Sequence, residues 1–167
     1  RLKKEFAGAR FILGVAPMIS REDIDIPDEI SDSVEVSRKG LERLSGASLV
    51  LAASGTVTLQ TAVSGTPMVA VYRSSPLTYF LGRILVRIPH VAMPNVLAGE
   101  EIVPELLQGE VTGGRIAREA ASILKDRERY SSISRNLLGL RDKLKGGGGL
   151  GEVAKIAIEM TANGPEK

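Results

Sequence analysis

The stretch LVLAASGTVTLQ, Leu49 to Gln60, decides the fold. Leu49–Ala53 is a near-continuous aliphatic run, the pattern of a strand covered on both faces. The run ends in Ser54-Gly55-Thr56, and a helix-period segment follows over Thr56–Ser64 until Gly65 and Pro67 stop it. Packing does not call for two hydroxyls and a glycine at the corner where a strand empties into a helix. An anion site does: the free N–H groups and positive dipole end of the helix seat a phosphate, Gly55 allows close backbone approach, and the Ser54 and Thr56 hydroxyls add hydrogen bonds. An ordinary Ser or Thr helix cap accounts for the same residues.

Working outward, short apolar runs alternate with helix-period segments. Phe11–Ala16 reads as a buried strand closed by Pro17, Ser20–Asp32 as a loop or irregular helix, and Val34–Ser37 as a strand whose helix is Gly40–Ser45. Met68–Tyr72 is a further buried strand, and Leu77–Arg87 a mostly apolar helix. His90–Met93 reads as extended, and Pro94-Asn95 and Gly99 punctuate a loop. From Glu100 onward the pattern is helical over 100–108, 113–127, 129–145 and 151–162, broken at Gly109 and Gly146–Gly149. Strands alternating with helices imply parallel strands with helical crossovers. The expectation is therefore an α/β chain with a doubly wound, mostly parallel sheet, a Rossmann-like core over 1–110, and C-terminal helices over 111–167. Those helices pack on the same domain or cross to a partner.

Composition narrows the function. The 167 residues suffice for one domain with a real core. A net charge of +2, with no dense Lys/Arg block, argues against nucleic acid as a partner. The absence of cysteine excludes disulfides and thiolate metal sites, and a single histidine, His90, argues against a multi-histidine metal site. No metal or other cofactor is expected. No apolar run is long enough to span a bilayer, and the N-terminal RLKKEFAGARFILGVAP lacks the apolar region and cleavage site of a signal peptide. It also starts without Met inside an amphipathic pattern, so a longer parent protein is expected. No G-x-G-x-x-G follows a predicted strand and no Walker A lysine pattern occurs, which counts against NAD and ATP.

Ligands of open parallel sheets bind outside the carboxyl ends of the strands. Tyr72-Arg73 sits at such an end, where a guanidinium can meet phosphate, although a solvated strand-end Arg is equally ordinary. The Asn95 amide both donates and accepts, so a loop stiffened by Pro94 can read a base or sugar edge. On spacing alone the plainer account is the better one: Asn95 is a turn residue, and Glu100 and Glu101 are first-turn acids of a helix. His90 has no evident acid partner and reads as structural. Tyr79-Phe80-Leu81 with Arg83 and Arg87 fits either a membrane-touching helix or a core helix with snorkelling arginines, the latter being the plainer account.

Taken together, LAASGTVTLQTAVSGTPMVAVYR and PLTYFLGRILVRIPHVAMPNVLAGEEIVPELLQ resemble the C-terminal half of lipid-A-disaccharide synthase. The likeness runs from about Phe11 to the C-terminus and is strongest over Leu49–Gln108. That resemblance implies a GT-B glycosyltransferase whose C-terminal domain holds UDP-2,3-diacylglucosamine. Its N-terminal domain largely receives the lipid monosaccharide acceptor, 2,3-diacylglucosamine 1-phosphate, and the transfer inverts the donor anomeric carbon. It further implies a UDP-sugar site of Ser54, Gly55, Thr56, Gln60, Tyr72, Arg73, Pro94, Asn95, Gly99, Glu101, Glu105 and Gln108. Catalytic residues would lie mainly in the N-terminal domain, and the whole protein would be cytoplasmic, peripheral at the inner face of the membrane. An exposed apolar face on the last helix would favour a homodimer.

Two departures from the family pattern stand out. The family's first strand of this domain, with its Gly-Ser-Arg loop, would precede Arg1, as would the N-terminal domain. Gln60 stands where relatives commonly carry Glu, and a neutral amide makes weaker bonds to a ribose diol than a carboxylate. Rival readings are another GT-B enzyme, such as the peptidoglycan GlcNAc transferase or a UDP-GlcNAc 2-epimerase, and a non-catalytic nucleotide-binding module.

Overall fold

The computed structural model describes residues 1–16, 19–38, 46–53, 55–75 and 89–146. Among the described residues, five strands carry the architecture: β1 (Phe11–Gly14), β2 (Val34–Ser37), β3 (Val50–Ala53), β4 (Met68–Tyr72) and β5 (Glu105–Leu107). All pairings are parallel, β1 with β2 in one sheet and β3-β4-β5 in the other. Parallel neighbours need a crossover. The helix α3 (Thr56–Ser64) supplies one between β3 and β4. The chain is thus an open-sheet, Rossmann-like α/β fold.

The remaining helices are α1 (Leu2–Glu5), α2 (Asp28–Ser31), α4 (Met93–Ala98), α5 (Gly113–Lys125) and α6 (Arg127–Gly146). β4 is the central strand of its sheet, and Met68, Val69 and Ala70 are buried, as the continuous apolar run MVAVY requires. Helices α5 and α6 close over this sheet: Ile123, Ile133, Leu137 and Leu140 share one core with Met68, Val69, Val103 and Leu106. The buried side of α5 is largely alanine, Ala117, Ala120 and Ala121, with Ile123 entering the shared core. Its N-terminus is capped by Thr112, whose side-chain oxygen accepts from the Arg115 N–H at 3.2 Å.

Helix α3 ends at Gly65, with φ 71°, as the sequence leads one to expect. Two independent constraints hold a glycine there. The backbone is left-handed, and a Cβ would lie 2.6 Å from Leu138 Cδ2 of α6. The Gly65 carbonyl in turn accepts from the Ser134 hydroxyl at 2.8 Å, tying the end of α3 to α6.

Four expectations change. The Leu49–Ala53 strand is not covered on both faces: Ala52 is buried, but Leu51 keeps 45% exposure and Ala53 is exposed, and β3 is the edge of its sheet among the described residues. β1 is likewise open, with Ile12 40% and Leu13 38% exposed, not a buried strand. The PNVLAG segment, expected as a loop, is α4: Pro94 lies in its first turn, where no backbone donor is needed, and Gly99 at φ 75° ends it. The helix expected over 100–108 does not form. Pro104 has no N–H to donate, and the Ile102 and Val103 N–H groups are taken by the Asn95 side chain. The segment instead yields β5 and a 3₁₀ turn at Gln108–Glu110.

Ser20–Asp32 is irregular, with a 3₁₀ turn at Arg21–Asp23 and the single turn of α2. The expected elements at Gly40–Ser45, Leu77–Arg87 and 151–162 lie outside the described residues, and Tyr79, Phe80, Leu81, Arg83 and Arg87 with them. Among the described residues, no helix is long and apolar enough to cross a membrane.

Candidate functional site

The carboxyl edge of the β3-β4-β5 sheet gathers three chain turns. After β3 comes Gly55, the residue before α3, with φ 71° and ψ −151°. Only glycine takes that conformation readily. Among the described residues, no side-chain cap bond is made at this helix end. The Gly55 carbonyl accepts from the Thr58 hydroxyl at 2.7 Å and from the Thr58 N–H at 3.1 Å, which fixes the first turn. Gly55 and Thr56 are exposed, and a Cβ on Gly55 would meet no atom within 4 Å, so the corner is open. Ser54 lies outside the described residues. Gln60 is exposed one turn further along α3.

At the neighbouring strand end, Tyr72 pairs with Leu107, and Arg73 and Gln108 follow. Arg73 is exposed, with its guanidinium free of ion pairs among the described residues. Gln108 reaches across to Ser74: the Ser74 N–H donates to Gln108 Oε1 at 3.0 Å, and Gln108 Nε2 donates to Ser74 Oγ at 3.2 Å. Gln108 has φ 49° and is the one non-glycine residue with positive φ among those described.

Asn95 and Glu105 form a different unit, buried at the start of β5. Asn95 is 0% exposed. Its Nδ2 donates to the Val103 carbonyl at 2.8 Å and to Glu105 Oε1 at 2.7 Å, and its Oδ1 accepts from the Ile102 and Val103 N–H groups, each at 2.9 Å. A primary amide has two donors and two acceptor positions, so the side chain is saturated by protein. Glu105 also accepts from the Val91 N–H at 2.8 Å and the Ala92 N–H at 3.0 Å. The backbone N–H groups of the two residues that lead into α4 are thereby met by a carboxylate close to the helix N-terminus, where the dipole favours negative charge. His90 Nδ1 stands 3.9 Å from Glu105 Oε1, so the acid neighbour that spacing did not reveal is present, beyond hydrogen-bonding distance.

The predicted site residues therefore fall into groups. Gly55, Thr56, Arg73 and Gln108 share the carboxyl edge of one sheet, with Tyr72 beside them lining a small cleft with Val91, Glu105 and Leu107. Glu105, in the wall of that cleft, is hydrogen-bonded to the buried Asn95, and Pro94 beside Asn95 is buried as well. Gly99 is the C-cap of α4, with nothing within 4 Å of a Cβ, and Glu101 is exposed in the turn that follows. Ser74 was missed by sequence reasoning. A serine in a strand-end loop carries no spacing signal, and its partner is 34 residues away.

A second, apolar cleft lies at the carboxyl ends of β1 and β2, lined by Val15, Ile19, Ile24, Val36 and Arg38.

Comparisons with known proteins bear on this arrangement. The family model described as lipid-A-disaccharide synthetase matches residues 1–144. A protein named lipid-A-disaccharide synthase from Geobacter metallireducens is 39% identical over 163 residues, covering 95% of this chain and 42% of its own length. Proteins of the same name from Syntrophotalea carbinolica and Myxococcus xanthus are 34% and 32% identical, over 100% and 98% of this chain and 43% of each relative. The chain thus spans less than half the length of these relatives. Among solved structures, a glycotransferase of kitacinnamycin superposes with a TM-score of 0.62 at 18% identity, covering 95% of this chain and 36% of that one. At that identity the likeness concerns the fold.

Proposed function

We propose, because this chain belongs to the lipid-A-disaccharide synthetase family, that it forms the UDP-sugar-binding half of an inverting glycosyltransferase. One observation carries the reading: the family match runs over residues 1–144 and so takes in every turn at the carboxyl edge of the β3-β4-β5 sheet. The open Gly55 corner and Arg73, free of ion pairs among the described residues, add chemical support, since both favour an anion at that edge.

The donor is UDP-2,3-diacylglucosamine and the acceptor 2,3-diacylglucosamine 1-phosphate. The acceptor 6-hydroxyl oxygen forms a bond to the donor anomeric carbon from the face opposite the diphosphate. The anomeric C–O bond breaks, and its electron pair leaves with UDP. Negative charge then grows on the β-phosphate, where the α3 N-terminus and the Arg73 guanidinium stabilise it more in the transition state than in the ground state. The hydroxyl proton passes to a general base in the remainder of the protein. Taken alone, the chain binds donor without transferring. Gln60, one turn along α3, meets the ribose hydroxyls with a neutral amide. With acylated substrates, the whole protein works in the cytoplasm against the inner face of the membrane.

Calorimetric titration of the chain with UDP, with NAD as control, tests the donor site. Saturable UDP binding with none for NAD is the expected result, and equal behaviour toward both refutes it. For the full-length protein, competition between acylated and plain UDP-GlcNAc separates this donor from that of other glycosyltransferases.

A further inference from the structure

We infer that Gln108 is a positioning residue for the carboxyl edge of the sheet, holding the Arg73–Ser75 turn in place through Ser74 without itself touching the ligand. The inference rests on the donor-site reading above and deepens it. The β4–β5 ladder ends at the Tyr72–Leu107 pair. A continuing strand would offer backbone partners to the Ser74 N–H. Instead the chain turns left-handed at Gln108, φ 49°, and leaves the sheet in a 3₁₀ turn. The side-chain amide then takes the place of the lost backbone, meeting Ser74 at both its N–H and its hydroxyl.

Three features separate this contact from routine packing. Gln108 is the one described non-glycine residue with positive φ, a conformation that L side chains adopt at a cost. Glycine would take it freely, and the residue after it, Gly109, is a glycine. A side chain retained at the strained position while glycine stands beside it fits a side chain that is needed. The amide also presents both its oxygen and its nitrogen to a single residue, Ser74, so the turn is fixed in two directions. Finally, the turn it fixes carries Arg73, exposed and unpaired among the described residues, at the strand end next to the open Gly55 corner. Both oxygen and nitrogen of the amide being engaged, Gln108 acts on an anion only by keeping Arg73 and the 73–75 backbone where they are.

The substitution that isolates this role is Gln108→Gly. It relieves the left-handed backbone and removes the amide, so thermal stability stays close to wild type. UDP affinity of the chain, measured by calorimetry, falls about tenfold, as expected when the released turn leaves about one molecule in ten with Arg73 in its binding-competent place. Hydrogen exchange of the Ser74 amide accelerates while amides of the β4 core keep their protection. Ser74→Ala, which loses one of the two contacts, weakens UDP binding less, and adds nothing in the Gln108→Gly background. Unchanged Ser74 exchange in Gln108→Gly overturns the clamp, as does faster exchange with undiminished UDP affinity. Additive effects of the two substitutions show direct ligand contact by Gln108 and overturn it too. Failure of the wild-type chain to bind UDP counts against the donor-site reading, and the Ser74 exchange result stands apart from that.

Discussion

Replacing Asn95 with alanine removes four hydrogen bonds in one step. Three are neutral, with the Val103 carbonyl and the Ile102 and Val103 N–H groups; the fourth is with the Glu105 carboxylate. Neutral bonds contribute about 0.5–1.5 kcal/mol each and a bond to a charged group about 1.5–3 kcal/mol. Their sum centres near about 5 kcal/mol, and relaxation that admits water to the 102–105 segment brings it to about 4 kcal/mol. That is a large share of the roughly 5–15 kcal/mol by which a domain is stable. At about 2–4 °C per kcal/mol for a chain of this size, the melting temperature falls by about 8–16 °C. Thermal unfolding followed by circular dichroism reads this directly. Asn95→Asp keeps the two acceptor contacts but sets a carboxylate against Glu105, so it is destabilised too, and Glu105→Gln in that background recovers part of the loss. If Asn95→Ala melts within about 3 °C of wild type and yet loses UDP binding, the side chain serves the ligand and not the framework, and the reasoning fails.

Other expected outcomes are as direct. Gly65→Ala meets a left-handed backbone and a Leu138 methyl 2.6 Å away, and costs about 1–3 kcal/mol in urea unfolding. Thr112→Ala removes the α5 cap for about 1 kcal/mol, and Thr112→Ser keeps most of it; equal loss in both would discount the cap. On the proposed donor site, Gln60→Glu offers the ribose diol a charged acceptor, and the expected outcome is a rise of UDP affinity by about a few-fold in the same titration. A fall in affinity would place Gln60 near the diphosphate instead.

The parallel α/β core was legible because its signals are local. The MVAVY run of β4, the helix period of α3 and the Gly65 stop each lie within a few residues of the element they define. The segment from His90 to Gln108 was misread for the opposite reason. Pro94 and Gly99 flank one short helix, and both residues also mark loops. The helical period of 100–108 is overridden by Pro104 and by the Asn95 amide, which takes N–H groups seven and eight residues away. Exposure was misjudged where position in the sheet decides it: an aliphatic run reads alike in a central strand and in β3 at an edge. At the candidate site, sequence reasoning anticipated that Gly55 opens a helix at a strand's carboxyl end and that Arg73 follows a strand. Asn95 proved to be buried and bonded to the half-buried Glu105, since saturation of an amide depends on partners that folding brings together. The Ser74 contact of Gln108 spans 34 residues and has no signature in spacing.

The docking of α6 on α3 also sets an order of events in synthesis. The core around Met68 and Val69 is completed by Ile133, Leu137 and Leu140, and the end of α3 is tied by Ser134 to a carbonyl 69 residues earlier. A growing chain that has reached only α5 exposes the apolar surface which those residues cover. The β3-β4-β5 sheet therefore emerges early but cannot settle until most of α6 has left the ribosome. At roughly 5–20 residues per second, the newly made strands wait several seconds with that surface open. Over that interval chaperone capture competes with folding, and a ribosomal pause inside α6 prolongs it.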